Sequence, residues 1–190
     1  EAGARRIVAG QARGTKLEAP KGVAVRPTSD RARQALFNVL DGGRFGESYT
    51  DRLVLDAFAG TGALGLEALS RGAREIVFVE TDSEVLAGLR RNIQKMRVER
   101  DTTVILADAT TLTRRAPEAA GLVLMDPPYR AGLAGPAVLA LAAAGWIDAD
   151  TLVVVETASK GETFETPEGF TLIEARKYGA AMLHFLKQAP

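Results

Sequence analysis

The segment Leu53-Val54-Leu55-Asp56-Ala57-Phe58-Ala59-Gly60-Thr61-Gly62-Ala63-Leu64-Gly65 constrains the fold of this chain more than any other. An apolar run of strand length feeds a loop with glycines at G-x-G-x-x-G spacing. A helix follows to Arg71, where Gly72 stops it. The same alternation continues downstream. Ile76–Val79, Thr103–Leu106, Leu122–Met125 and Leu152–Val155 read as strands, with helices from Asp82 or Ser83 to about Lys95 and from Leu133 to Ala144. Near-continuous apolar runs of this kind suit parallel strands buried on both faces. The tail differs: Phe170–Lys177 and Ala181–Lys187 flank Gly179 as a hairpin at the sheet edge, with His184 on an edge strand. The predicted fold class is α/β, a Rossmann-like, doubly wound, mostly parallel sheet with a C-terminal antiparallel hairpin.

The N-terminal part has a different texture. Gly10, Gly14, Pro20 and Gly22 break residues 5–25 into short strands, predicting a small basic hairpin over residues 1–27 that buries little. The main domain is expected over 28–190. Its first helix is capped by Thr28 or Ser29, carries Ala32, Ala35, Leu36, Val39 and Leu40 at helical spacing, and ends at Asp41-Gly42-Gly43. The chain has no Cys and one His, which excludes disulfides and Cys- or His-clustered metal sites, so no metal is expected. No apolar run approaches the ~18 residues of a membrane helix. A Cys-free chain without a membrane segment fits the cytoplasm, and a monomer is expected. Net charge is zero, but residues 1–44 hold nine Lys/Arg against four Asp/Glu. That asymmetry suits a phosphate-binding face, and it suits a solvated surface equally well.

The glycine loop alone does not choose a ligand. With Glu80 twenty residues after Gly60, it also matches the dinucleotide fingerprint. Asp56 discriminates. A dinucleotide lays its pyrophosphate against such a loop and helix N-terminus, and a carboxylate there repels it. S-adenosylmethionine has no phosphate, and its ammonium and sulfonium would be attracted to Asp56, directly or through water. Glu80 can accept from ribose hydroxyls and Asp108 from an adenine amine, which puts an acid behind each of three successive strands. Asp108 also reads as an ordinary loop or capping residue. Gly65 reads as close helix–strand packing without ligand contact.

Leu122–Met125 runs into Asp126-Pro127-Pro128-Tyr129. Two prolines fix an extended backbone and remove two donors, leaving the Asp126 carboxylate and the Pro127 carbonyl as acceptors. An exocyclic NH2 offers two donors to such a pair. Held there, its lone pair is less delocalised and can attack an activated methyl. Tyr129 offers a face for stacking the base. A duplex would hide the amine, so the base must be unpaired or flipped.

On these residues the sequence resembles the bacterial family that methylates N2 of guanine 966 in 16S ribosomal RNA. The resemblance runs from Arg6-Ile7-Val8-Ala9-Gly10 and Arg13-Gly14-Thr15-Lys16-Leu17, through Arg26-Pro27-Thr28-Ser29-Asp30-Arg31-Ala32-Arg33 and the glycine loop, to the D-P-P-Y. The R-P-T-x-D-R-x-R segment is its most specific part, whereas D-P-P-Y marks only the wider group of amino-methyltransferases. The resemblance implies a class I methyltransferase fold with S-adenosylmethionine as donor. The implied substrate is 16S ribosomal RNA in a partly assembled small subunit. It implies Asp56, Gly60 and Gly62 at the methionyl end, Glu80 at the ribose and Asp108 at the adenine, with Ala59, Thr81 and Ala109 also in the cofactor site. Asp126, Pro127, Pro128 and Tyr129 fall at the target base, with Asp126 also bordering the cofactor. Arg5, Arg6, Arg13, Lys16, Arg26 and Arg31 are the expected RNA contacts.

Other readings stay open at this stage. D-P-P-Y also serves adenine-N6 and cytosine-N4 methylation of DNA or RNA. An NAD-dependent oxidoreductase would explain the glycines and Glu80 but not Asp56 or D-P-P-Y. A non-catalytic RNA-binding protein would leave the acceptor array without a role. Trp146 reads as core.

Overall fold

The Val-, Ile- and Leu-rich runs become strands because burying them on both faces of a sheet removes the most apolar surface from water. The computed structural model describes residues 5–19, 29–128 and 132–190. A short antiparallel pair, β1 (Arg5–Arg6) and β2 (Lys16–Leu17), precedes α1 (Ser29–Asp41). The alternating part comprises β3 (Leu53–Ala57), α2 (Ala63–Ser70), β4 (Glu75–Glu80), α3 (Ser83–Met96), β5 (Thr102–Leu106), β6 (Leu122–Met125), α4 (Ala134–Ala143) and β7 (Leu152–Ala158). The tail forms β8 (Phe170–Tyr178) and β9 (Ala181–Gln188). Asp82 caps α3, its Oδ1 accepting from the Glu84 and Val85 amides at 2.9 and 3.3 Å.

The large sheet has the order β5-β4-β3-β6-β7-β9-β8. The first five strands are parallel and the last two antiparallel. β3 lies between β4 and β6, so the winding reverses between β3 and β6. At such a switch point the flanking loops part and leave a crevice beyond the strands' carboxyl ends. One apolar layer covers each face of the sheet: Phe37, Leu66, Phe78 and Phe185 on one side, Leu55, Val123, Leu141 and Trp146 on the other. Trp146 is core, its indole N–H donating to the Arg114 carbonyl at 2.9 Å.

The C-terminal hairpin corrects one expectation. The outermost strand is β8, and β9 is inserted between it and β7, so His184 sits on an inner strand. The burial pattern gives the reason. Leu183, Phe185 and Leu186 of β9 are all buried, whereas β8 exposes Leu172 and Ile173 and carries Glu174, Arg176 and Lys177 after them. His184 shares a hydrogen bond of 3.0 Å with the Thr157 hydroxyl and lies against the Phe164 ring.

The N-terminal hairpin is a second correction, because it is anchored by burial. Ile7 and Leu17 are fully buried in the same apolar layer as Phe37 and Leu66. Polar anchoring centres on Glu67 of α2, which is 0 % exposed. Its carboxylate accepts from the amides of Val8 at 2.7 Å and Ala9 at 3.0 Å, from Arg33 at 3.2 Å and from Arg71 at 2.9 Å. Ser70 adds a second clasp, its hydroxyl accepting from Ala12 N–H at 2.9 Å and donating to the Ala9 carbonyl at 2.6 Å. Gly10 makes this contact possible. Its φ is +84°, and a Cβ there would lie 1.9 Å from the Ser70 carbonyl oxygen.

Removing one partner of a buried ion pair strands the others without water. Glu67→Ala is therefore expected to cost about 3–5 kcal/mol in urea unfolding, the largest effect of any single carboxylate truncation in α2 or the hairpin. Gly10→Ala is expected to lower the unfolding midpoint as well, because both backbone conformation and space are wrong for a side chain.

Candidate active site

A cleft of about 380 Å³ lies at the carboxyl ends of β3, β4, β5 and β6. That volume is in the range of small-molecule sites. Its floor is the turn that leaves β3. Phe58 holds a positive φ of 58°, unusual for a bulky residue and a local strain of the kind found at functional turns. The turn is tied to the next strand, with Ala59 N–H donating to the Val79 carbonyl at 3.0 Å and Gly60 N–H to Glu80 Oε1 at 2.9 Å. Ala59, Gly60 and Thr61 line the cleft. Gly62 faces away from it: φ is +81° and a Cβ would lie 2.3 Å from a Leu89 methyl of α3. Gly65 packs α2 against the sheet, where a Cβ would lie 2.6 Å from the Phe78 ring and 2.8 Å from Ile76.

Three strand-end carboxylates border the cleft. Asp56 is 1 % exposed, and its Oδ2 accepts from the Gly65 amide at 3.0 Å. Burial pushes its carboxyl well above the usual range; the Gly65 amide opposes that, and the charges of Asp126 and Glu80 add to it. Glu80 accepts from Gly60 N–H and, through Oε2, from Asp82 N–H at 2.9 Å. Each of those oxygens keeps capacity for a further donor. Asp126 follows β6 and is half-buried, with Pro127 buried and Pro128 exposed beside it. Apolar walls come from Phe58, Val79, Val85 and Ala107. Three clustered carboxyl groups, one of them buried, favour a cationic or donor-rich ligand and disfavour a pyrophosphate. The residues present therefore fit an ammonium- and sulfonium-bearing nucleoside.

Thr81 and Ala109 also line this cleft, while Asp108 does not. Asp108 is exposed, and its Oδ1 accepts from the amide and the hydroxyl of Thr110 at 2.8 and 2.7 Å. Those bonds hold its carboxyl below the usual range. Tyr129 and Arg26, both singled out in the sequence, lie outside the described residues. Of the basic residues, Arg6, Arg13 and Arg31 are exposed. Arg5 is placed differently: it lines the cleft itself, with Nη1 donating to the Thr61 hydroxyl at 3.5 Å. Burial lowers its pKa, partly offset by the charge of Asp126. Arg33 is 3 % exposed and is committed to Glu67. Among the described residues no cluster of His, Cys, Asp or Glu could hold a metal, and no helix is long and apolar enough to cross a membrane.

Sequence reasoning did not single out Phe58, Thr61, Val85 or Glu156, which borders an adjoining cavity beside Asp126. For Glu156 a signal existed. Like Asp126 it follows directly on an apolar run, here Leu152-Val153-Val154-Val155, although β7 itself continues to Ala158.

This arrangement of fold and cleft is that of the class I methyltransferases. Magnesium protoporphyrin IX methyltransferase from Synechocystis PCC 6803, solved with bound SAM, shares the fold at TM-score 0.58 and 15 % identity, over 83 % of this chain and 80 % of that one. Closer likeness is found to the solved Escherichia coli protein yhhF, with TM-score 0.81 and 33 % identity over 98 % of this chain and 99 % of that one. Residues 5–187 match the family model described as "Conserved hypothetical protein 95". The ribosomal RNA small subunit methyltransferase D of Haemophilus influenzae is 34 % identical over 92 % of this chain and 89 % of its own length. Its Escherichia coli K12 counterpart is 35 % identical over 88 % and 81 %. The chain belongs to this family of methyltransferases.

The Asp56 environment gives a pH test. With its native pKa raised, the folded protein keeps a proton that the unfolded chain has released. Stability of the ligand-free protein therefore falls as pH rises from about 4 through the native pKa of this group. Asp56→Asn removes this titration while an amide oxygen can still accept from Gly65. Thermal unfolding of the variant across pH is expected to show a flatter decline than the wild type.

Proposed function

We propose that this chain transfers a methyl group from S-adenosylmethionine to the exocyclic N2 amine of a guanine in 16S ribosomal RNA. The observation that carries the reading is the Asp126-Pro127-Pro128 acceptor array, which opens from the end of β6 onto a cleft already bordered by Asp56 and Glu80. The names of the relatives support ribosomal RNA of the small subunit as the substrate.

Asp56, Ala59, Gly60 and Gly62 would hold the methionyl end of the donor, Glu80 and Thr81 the ribose, and Ala109 with Asp108 the adenine. Gly62 would act here by permitting the turn, since its own surface meets Leu89. Asp108 would have to share or exchange its bonds to Thr110. When bound, the donor supplies an electrophilic methyl carbon. The protein's own part is to position the acceptor. Asp126 and the Pro127 carbonyl accept from the two amine hydrogens, orienting the nitrogen lone pair toward the cleft. A nitrogen–carbon bond forms as the sulfur–carbon bond breaks. The amine proton then leaves to Asp126 or to water, because the nitrogen becomes acidic only after attack. Tyr129, next in the chain, is suited to stack on the base.

The exposed Arg6, Arg13 and Arg31, together with Lys16 and Arg26, are the candidate phosphate contacts. Such contacts position RNA without reading sequence. Arg5, inside the cleft, is better suited to the reaction site than to the RNA backbone. The substrate is taken to be a partly assembled small subunit, met in the cytoplasm by a monomeric enzyme.

The test uses small subunits from cells lacking the protein, incubated with the purified chain and labelled S-adenosylmethionine. Nuclease digestion is expected to yield N2-methylguanine from one site in 16S RNA; label in another nucleoside, or in none, would overturn the reading. Asp126→Ala is expected to lower the transfer rate by about 100-fold or more while S-adenosylhomocysteine binding by calorimetry is largely retained. Replacing Arg6 and Arg13 with Ala is expected to weaken RNA binding and to flatten its log–log salt dependence by roughly 0.7–0.9 per lost contact.

A further inference from the structure

A second carboxylate stands beside Asp126. β6 and β7 pair in parallel with Met125 opposite Val155, so Asp126, the first residue beyond β6, comes beside Glu156, which is still within β7 and paired with Leu183 of β9. Both line one cavity with Arg5, Ala63, Leu64 and Leu183. This cavity, of about 30 Å³, adjoins the large cleft and shares Arg5, Ala63, Leu64 and Asp126 with it. Glu156 is thus one strand further from the donor end of the cleft than Asp126, on the side a substrate base would occupy if its amine faced the donor.

The chemistry of the bases then distinguishes them. On its pairing edge guanine carries the N2 amine next to N1–H, two adjacent donor groups. Adenine carries its amine next to N1 and cytosine next to N3, and both of those ring nitrogens are acceptors. Two neighbouring carboxylates, when ionised, offer only acceptors. They match the guanine edge and leave lone pair facing lone pair for the other two bases, a mismatch that a hydrogen-bonding site penalises strongly. Arg5 lines the same cavity with a guanidinium, which presents N–H donors of the kind guanine presents at N1 and N2. Its charge is coupled to both Asp126 and Glu156.

We infer that Glu156 is the specificity-determining residue for guanine, its carboxylate accepting from N1–H while Asp126 accepts from the N2 amine. This assignment rests on the guanine-N2 reading above, and it adds a reader of the base to a motif that recognises only an amine.

The test replaces the target guanine, in a small-subunit particle reconstituted with ligated RNA, by 2-aminopurine. That base keeps the 2-amine but has a bare N1 acceptor. Wild-type protein is expected to prefer guanine in kcat/KM by roughly tenfold or more. Glu156→Gln preserves shape and can donate an amide N–H to the bare N1, so the preference is expected to shrink toward unity or invert, with S-adenosylhomocysteine affinity unchanged. A merely structural Glu156 would lower both rates together and leave their ratio intact. An unchanged ratio in the variant, or no guanine preference in the wild type, would overturn the assignment while leaving the guanine-N2 activity standing. If the wild type methylates neither base, the guanine-N2 reading falls and this assignment falls with it. The wild-type comparison keeps the question decidable even if the variant does not fold.

Discussion

The buried carboxylate of Glu67 ties the N-terminal hairpin, α1 and α2 into one body. Taking a charge out of water is costly unless donors surround it, and here two backbone amides and two guanidiniums do so. The consequence reaches the active site. The hairpin that Glu67 holds begins with Arg5, and docking the hairpin brings that residue into the cleft. α2, on which Glu67 sits, is also the helix whose Gly65 amide receives Asp56. One polar cluster therefore positions both the helix behind the glycine loop and the cationic side chain across from it.

The cleft itself is organised by acids at strand ends. The carboxyl halves of the parallel strands lie together at one edge of the sheet, where Asp56, Glu80 and Asp126 stand at or just beyond strand ends and Glu156 lies within β7 beside Asp126. Burial chiefly, with the neighbouring charges of Asp126 and Glu80 adding to it, makes ionised Asp56 unfavourable in the free protein and raises its pKa. The crowding of these acids is a source of selectivity, because each ligand group that enters must bring donors or positive charge. In the proposed reaction a cationic donor molecule and an amine-bearing base would satisfy that requirement from opposite sides of Asp126. The family to which the chain belongs is thus reflected in electrostatics as well as in a motif.

Much of this was legible in the chain. Strand runs, the glycine loop and the D-P-P-Y are local signals, and local signals survive being read one segment at a time. Where the reading failed, the deciding contact was remote in sequence. Arg5 looks like any basic terminal residue until Thr61 is brought beside it. The order of β8 and β9 depends on which strand can bury both faces, and that is settled by β7 as much as by the hairpin.

The sequence by itself determined the class of the fold and the row of hydrogen-bond acceptors at the end of β6. Periodicity dictates helix or strand, and two prolines after an aspartate dictate an acceptor array wherever they are placed. Tertiary structure alone decided which acids face the cleft, that the basic hairpin is built into the core through Ile7, Leu17 and Glu67, and that Glu156 stands next to Asp126. The physical reason is that burial, charge coupling and strand register are properties of pairs of residues. Those pairs form only when segments far apart in the chain meet.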